Sequence, residues 1–355
     1  MNKLSIIKKR LYDSPNFLEK DLVGCHCIKN PLKKNISEAF GLSGLYCCGF
    51  PLYENNHAKY CLRLWKDDLP ETIRIAKEKY DSLNEVLSRL NEFNLDFFVK
   101  CKFVDKVLII QNKDKQDETI PGLLMDWAGE TLSSVLYPLD GKKPSKEQYK
   151  KMSEDFWEIC RKMKKAGVIH GDISANNITV NQEGRLKLID YDSLYIPSQG
   201  YTGPSDCCTG TAGFQHPTRI ADRTPSDDNF SQLIIYVTLL AYSYDPKLNR
   251  GEGGRDVMLF SASELENIDN FRNSDGYNDI RNSGDPKLNF YLDELEKAFE
   301  VPYDQVPFLC DLIYELPEDE MPLVSYASYC GICGHHFENQ TDLYCPDCGK
   351  KREFL

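Results

Sequence analysis

The sequence predicts an α+β chain with a strand-rich first part, a helical second part and a small cysteine-bound appendage. Three observations carry that prediction. Between Phe40 and Met125, short apolar runs alternate with turns and are interrupted by a single helical stretch. From Thr131 to Leu316 the apolar residues recur mainly at helical spacing, apart from one pair of short strands. The tail carries two Cys-x-x-Cys knuckles, Cys330 to Cys333 and Cys345 to Cys348.

Composition narrows the class. With 355 residues, 41% hydrophobic and 28% charged, the chain has the balance of a globular protein with two domains and a small addition. Its first ten residues, Met1 to Arg10, are charged and lack the apolar centre of a secretory leader. The longest apolar run, Leu233 to Tyr242, is interrupted by Thr238 and is too short to span a bilayer. The expectation is a cytoplasmic protein without a membrane partner. A net charge of −12 argues against nucleic acid as a partner, because general affinity for phosphate backbones needs a basic surface. In a reducing compartment the 14 cysteines are expected in cores and metal sites.

Residues 1–39 carry no assignable pattern and either precede the strand-rich part or belong to it. Cys25-His26-Cys27 reads as buried thiols beside a surface histidine. Strand, turn and strand follow from Phe40 to Trp65. Within Gly41-Leu42-Ser43-Gly44 the glycines would let backbone amides approach a phosphate, and ordinary turn formation is their alternative use. Arg63 is a lone cation in the alternating strand Lys59–Trp65, able to enter a cleft or to face solvent. Residues 70–91 read as a helix on the spacing of Ala76, Tyr80, Leu83, Leu87 and Leu90. Strands are expected at Phe97–Val104, Lys106–Ile110 and Ile120–Met125. The last runs into Asp126-Trp127-Ala128-Gly129, a hinge with glycine at the bend and a helix beginning near Thr131.

A long helix is expected with Tyr149, Met152, Phe156 and Met163 on one face, stopped at Gly167. After it come Asp172 and Asn177, five residues apart in a polar loop, then the strand Ile178–Val180, a turn, and a second strand ending on Asp190. Such a loop can aim two carboxylates and an amide into one pocket, which is what divalent metal and phosphate chemistry needs. Asp228 stands before the buried helix Gln232–Tyr242, to cap it or to brace the loop above. Residues 245–288 read as loops with short helices and one amphipathic piece around Met258–Leu265, and Asn289–Leu316 reads as helical again.

Residues 317–328, opening with the acidic, proline-bounded stretch Pro317 to Pro322, are expected to link to a ribbon at 329–355. There Cys330, Cys333, Cys345 and Cys348 give four thiolates with the spacing of a closed tetrahedral Zn²⁺ site. So short a segment cannot build enough core to fold without its metal. From Ser325 onward Lys350, Lys351 and Arg352 face Glu338, Asp342, Asp347 and Glu353, so the ribbon lacks a basic footprint and is expected to be structural or to dock a protein.

Taken together, residues 40–316 resemble the protein kinase family. His170-Gly171-Asp172 with Asn177 is similar to its catalytic loop, and Asp190-Tyr191-Asp192 to its metal-binding Asp-Phe-Gly. Met125 to Ala128 looks like the hinge, Arg63 stands at the strand lysine, and Gly210-Thr211 to Pro217 resembles the end of an activation segment. With the zinc ribbon behind it, the pattern resembles a bacterial group of eukaryotic-like Ser/Thr kinases, often found beside a PP2C-type phosphatase and a von Willebrand A-type protein. The resemblance implies a bilobal fold, with an N-lobe at 40–125, a C-lobe at 126–316 and ATP in the cleft. It implies Asp172 as base, Asn177 and Asp190 as ligands of Mg²⁺ or Mn²⁺, and Arg63 on the phosphates. Gly41, Ser43 and Gly44, with the backbone of Asp126 and Ala128 and the neighbouring Trp127, would hold the nucleotide. A protein substrate is implied, with those two neighbours as candidate partners.

The chain departs from the family pattern at several positions. Arg63 replaces lysine, Gly171 replaces the arginine that reads a phosphorylated activation loop, and Ser174 replaces a lysine near the γ-phosphate. Leu83 occupies the place of the helix glutamate, flanked by Glu78 and Glu85, and Thr218-Arg219 follow Pro217 where a glutamate is usual. The leading expectation is an active kinase that needs no loop phosphorylation. A nucleotide- or partner-binding scaffold without turnover is second. A small-molecule phosphotransferase is third, because His-Gly-Asp followed by Asn also marks aminoglycoside and choline kinases.

Overall fold

The computed structural model describes residues 3–13, 15–29, 38–43, 47–66, 70–112, 114–138, 140–203, 210–220, 222–250 and 258–315, and in the tail 330, 333, 335–336 and 345–347. The chain is mixed α+β and divides into two compact units, Met1–Leu312 and Ile313–Leu355. The expected linker at 317–328 lies outside the described residues.

In the first unit, helix α1 (Lys3–Asp13) precedes β1 (Leu42–Ser43), β2 (Cys47–Glu54), β3 (His57–Trp65), α2 (Pro70–Ser88), β4 (Cys101–Gln111) and β5 (Asp117–Asp126). These strands make one antiparallel sheet in the order β1-β2-β3-β5-β4. Asn55 and Asn56 turn β2 into β3 with φ of 50° and 65°, the left-handed pair a tight hairpin demands. Successive side chains of a strand point to opposite faces. Leu62 and Leu64 of β3 therefore enter a core with Ile7 and Leu11 of α1, all fully buried, and Arg63 between them faces the other way. Lys3 reaches Glu118 at 3.0 Å and Arg10 Nε donates to Ile109 O at 3.3 Å, so α1 is built into this sheet. Cys25 and Cys27 are buried in the same core and His26 between them is exposed.

The two strands expected at Phe97–Val104 and Lys106–Ile110 are one bulged strand, β4. Its register steps from Val104 opposite Gly122 to Leu108 opposite Ile120. The exposed pair Asp105-Lys106 fills that bulge, and Lys77 of α2 holds Asp105 at 2.6 Å.

The helical part holds β6 (Glu130–Thr131), α3 (Leu132–Leu136), α4 (Lys146–Ala166), β7 (Ile178–Val180), β8 (Leu186–Leu188), β9 (Tyr195–Ile196), β10 (Tyr201–Thr202), α5 (Asn229–Tyr244), α6 (Ile268–Arg272), α7 (Asp275–Ser283) and α8 (Pro286–Ala298). Ser145 and Gln148 close a capping box at the start of α4, and Gly167 ends it with φ of 63°. Almost every residue of α5 is buried, as its unbroken apolar run requires, and α4 and α8 pack against it. Helical structure after Asn289 stops at Ala298 and continues only as single 3₁₀ turns, because Pro302 and Pro307 interrupt the pattern. Met258–Leu265 is a run of bends followed by a hydrogen-bonded turn at 262–265, with Met258, Phe260 and Leu265 buried. Among the described residues no helix is long and apolar enough to cross a membrane.

Candidate functional site

The site is built from the loop after α4. Asp228, at the start of α5, does not cap its own helix. Its two carboxylate oxygens accept from the backbone amides of His170, at 2.6 Å, and Gly171, at 2.8 Å. His170 is fully buried; its Nε2 lies 3.0 Å from Ile189 O, and its Nδ1 is 3.4 Å from the Asp172 amide, which fixes the proton on Nε2. Gly171 has φ of 79°, and a Cβ there would stand 2.6 Å from Ser193 O. That close approach explains glycine where the family pattern has arginine.

Beyond this brace, Asn177 Nδ2 donates to Asp172 O at 2.8 Å and to Asp172 Oδ2 at 3.0 Å. Thr211 N donates to Asp172 Oδ1 at 2.6 Å. Both oxygens of the carboxylate are thus oriented by the chain. The β7–β8 hairpin brings Ile189 N to Asn177 O at 3.0 Å, which sets Asp190 beside Asn177. Asp190 itself adopts φ of 67°, a left-handed conformation uncommon outside glycine and frequent at functional sites. Next to it Tyr191 is fully buried, its hydroxyl accepting from Val99 N at 2.6 Å and lying 2.6 Å from Leu188 O.

From the sheet, Arg63 crosses to this loop. Its Nη1 lies 3.0 Å from Asp190 Oδ1 and its Nη2 lies 3.3 Å from Asp192 Oδ2. Tyr80 of α2 donates its hydroxyl to Asp192 Oδ1 at 2.6 Å. Burial disfavours the charged guanidinium, but Asp190 and Asp192 outweigh it and hold Arg63 protonated well above its ordinary range. Burial and the adjacent Asp190 carboxylate push the Asp192 carboxyl up, against the pull of Arg63. Burial, reinforced by Asp192, raises the Tyr80 phenol, so it stays a donor.

The residues expected as a hinge begin at the last residue of β5, Asp126. Trp127 N donates to Lys59 O at 2.9 Å, Thr179 Oγ1 donates to Ala128 O at 2.9 Å, and Asp126 is exposed at the strand end. Among the described residues no acceptor meets the Ala128 amide. Gly129 bends the chain with φ of 103°, where a Cβ would fall 2.0 Å from Val180 O. Of the glycine-loop candidates, Gly41 packs so tightly on Phe50 that a Cβ would come within 2.6 Å of its ring. Ser43 lies on β1 opposite Cys48, and Gly44 is outside the described residues. Ser174 is fully buried, so it does not stand in for the missing lysine.

Past Asp172 the chain returns through a second buried anchor. The Arg219 side chain, only 3% exposed, pairs with the buried Asp227 carboxylate at 3.2 Å and donates from Nη1 to Gly171 O at 3.1 Å. His216 Nε2 donates to Ala298 O at 2.8 Å, while its Nδ1 accepts from Thr218 N at 3.1 Å.

In the C-terminal unit, the Sγ atoms of Cys330, Cys333 and Cys345 all lie within 4.8 Å of one another, and those of Cys333 and Cys345 are 3.5 Å apart. Tetrahedral zinc thiolate centres have S···S separations of about 3.8 Å, so the three cysteines could hold a metal such as zinc. Cys348 lies outside the described residues.

Two members of the site carried no separate signal in the sequence. Tyr80 falls on the apolar stripe of α2 and reads as core; only its hydroxyl distinguishes it. Asp192 sits two residues past Asp190, a repeat of carboxylates that could have drawn attention to it. Compared with protein-family models and with curated proteins, the chain matches none.

Proposed function

We propose that the chain is an ATP-dependent protein kinase of bilobal architecture, transferring the γ-phosphoryl group to Ser or Thr of a partner protein or of itself. The observation that carries this reading is the chain of contacts that links Asp172 to Asn177, Asn177 to the residue before Asp190, and Asp190 to Arg63, from three separate segments, beside the backbone braced by Asp228. Asp172 is held by Asn177 and the Thr211 amide so that its carboxylate can take the acceptor hydroxyl's proton. As that oxygen bonds to the γ-phosphorus, the bond to the bridging oxygen breaks and ADP leaves. Asn177 and Asp190, an amide oxygen and a carboxylate, are the hard donors that would hold Mg²⁺ or Mn²⁺, which when bound neutralises charge on the phosphates. Arg63 supplies a fixed cation for the α and β phosphates. The Ala128 amide and the Asp126 backbone, beside Trp127, are the groups that would meet the adenine edge.

The test is transfer of labelled phosphate from ATP with Mg²⁺ by the wild type beside Asp172→Ala and Asp190→Ala. Wild-type transfer no greater than that of Asp172→Ala refutes the reading. One observation favours a second reading, a scaffold that binds nucleotide or a partner without turnover: the Arg63 guanidinium is already bonded to Asp190. Thermal stabilisation by Mg²⁺ and ATP without transfer would select it. For the tail we propose that Cys348 completes a four-thiolate zinc ribbon with a structural or protein-docking role. A von Willebrand A-type protein and a PP2C-type phosphatase are the candidate partners to assay, in the cytoplasm.

A further inference from the structure

Arg63 presents a problem of orientation that the helix beside it does not solve in the expected way. Leu83, at the place where a helix carboxylate would meet the strand cation, is fully buried. Glu78 is engaged with Arg74 at 2.5 Å and Glu85 with Arg89 at 2.6 Å, both among exposed side chains. No carboxylate of α2 reaches Arg63 among the described residues. A guanidinium on a long stem loses much rotamer freedom when it is fixed, so some partner has to hold it in one pose.

We propose that Asp192 and Tyr80 are the positioning residues for Arg63, with Asp192 supplying from the segment after Asp190 the carboxylate that α2 lacks. The inference rests on the kinase reading and names the groups that make its phosphate-binding cation effective. Each oxygen of Asp192 has its own partner: Oδ1 accepts from the Tyr80 hydroxyl at 2.6 Å and Oδ2 from Arg63 Nη2 at 3.3 Å. The Tyr80 ring, 2% exposed, is fixed in the core of α2, so the carboxylate takes its orientation from the helix. Arg63 meets Asp190 through the other prong of its fork, Nη1. Were Asp190 to ligate a metal ion, the Nη2 contact with Asp192 would still tether the cation. A lysine ammonium has no second, rigidly spaced donor group with which to span two carboxylates, which accounts for arginine at this position. Helix α2 is thereby coupled to the cation through the Tyr80 hydroxyl, which lies 3.5 Å from Arg63 Nη1 and also reaches it by way of Asp192, without a helix carboxylate.

The test compares Tyr80→Phe, Asp192→Asn and the double variant with the wild type, all shown to be folded by circular dichroism and thermal melting. Two readouts are taken: the Kd of a fluorescent ATP analogue with Mg²⁺, and kcat and KM for ATP and for the protein acceptor separately. Asp192→Asn is expected to raise the nucleotide Kd and KM about tenfold and Tyr80→Phe about threefold, with the acceptor KM unchanged. In the double variant the Tyr80 effect should shrink, because Tyr80 acts mainly through Asp192 and keeps only its long contact, 3.5 Å, with Arg63 Nη1. Unchanged nucleotide binding in folded Asp192→Asn overturns the inference, as do losses that fall equally on nucleotide and acceptor. Wild-type protein that binds nucleotide but transfers nothing refutes the kinase reading alone, and the Kd ratio still decides this one. Wild-type protein that binds no nucleotide refutes both.

Discussion

Asp228 holds the backbone of His170 from 58 residues further along the chain, and holds Gly171 with its second oxygen. The carboxylate is 3% exposed, so removing it leaves two buried amides without acceptors. Asp228→Ala should cost about 3–5 kcal/mol, and Asp228→Asn less, since the amide keeps one acceptor. Urea unfolding of the two variants beside the wild type measures the difference, and equal midpoints would contradict the brace.

Gly171 has no room for a side chain. With φ of 79°, and with Ser193 O only 2.6 Å from where a Cβ would stand, any side chain is strained at this point. Gly171→Ala and Gly171→Arg should both lose about 2 kcal/mol or more, and Gly171→Arg should gain no response to a phosphorylated segment. Chemical denaturation of both variants checks this.

His216 makes stability depend on pH. Burial lowers its pKa from the ordinary value of 6.5, against the opposing bond to Ala298 O, and its Nδ1 must stay unprotonated to accept from Thr218. The folded state therefore prefers neutral histidine, and below 6.5 the unfolded chain takes up the proton first. The contribution is full above that value and is lost as pH falls toward the depressed folded-state pKa. Urea midpoints measured from pH 8 to about pH 5 should fall for the wild type, and fall less steeply for His216→Gln.

Metal content tests the tail. The full chain should carry close to one zinc ion, and Cys330→Ser or Cys345→Ser should lose it. Metal analysis by mass spectrometry after extensive dialysis gives the answer. Loss of zinc without any change in the protease sensitivity of the tail would argue against a structural role.

What could be read in the sequence was spacing, and what could not was pairing across the chain. Helix α4 declared itself through its apolar stripe, its capping pair Ser145 and Gln148, and Gly167, all local signals. The five-residue interval from Asp172 to Asn177 likewise described one loop. Tyr80 was illegible because a core tyrosine and a tyrosine donating to Asp192, 112 residues away, have the same local pattern. The polar pair Asp105-Lys106 looked like the end of a strand because a bulge and a turn share a composition. Residues 1–39 gave no assignment because α1 finds its partners on β4 and β5, far outside any local window.

That last placement bears on how the chain is made. Lys3 meets Glu118, 115 residues later, and Ile7 and Leu11 are covered only when the sheet is complete. During synthesis α1 leaves the ribosome well before the strands that shelter it. At about 5–20 residues per second, it waits for several seconds with its apolar face in water or on a chaperone. Helix α1 would then be among the last pieces of the sheet's core to dock.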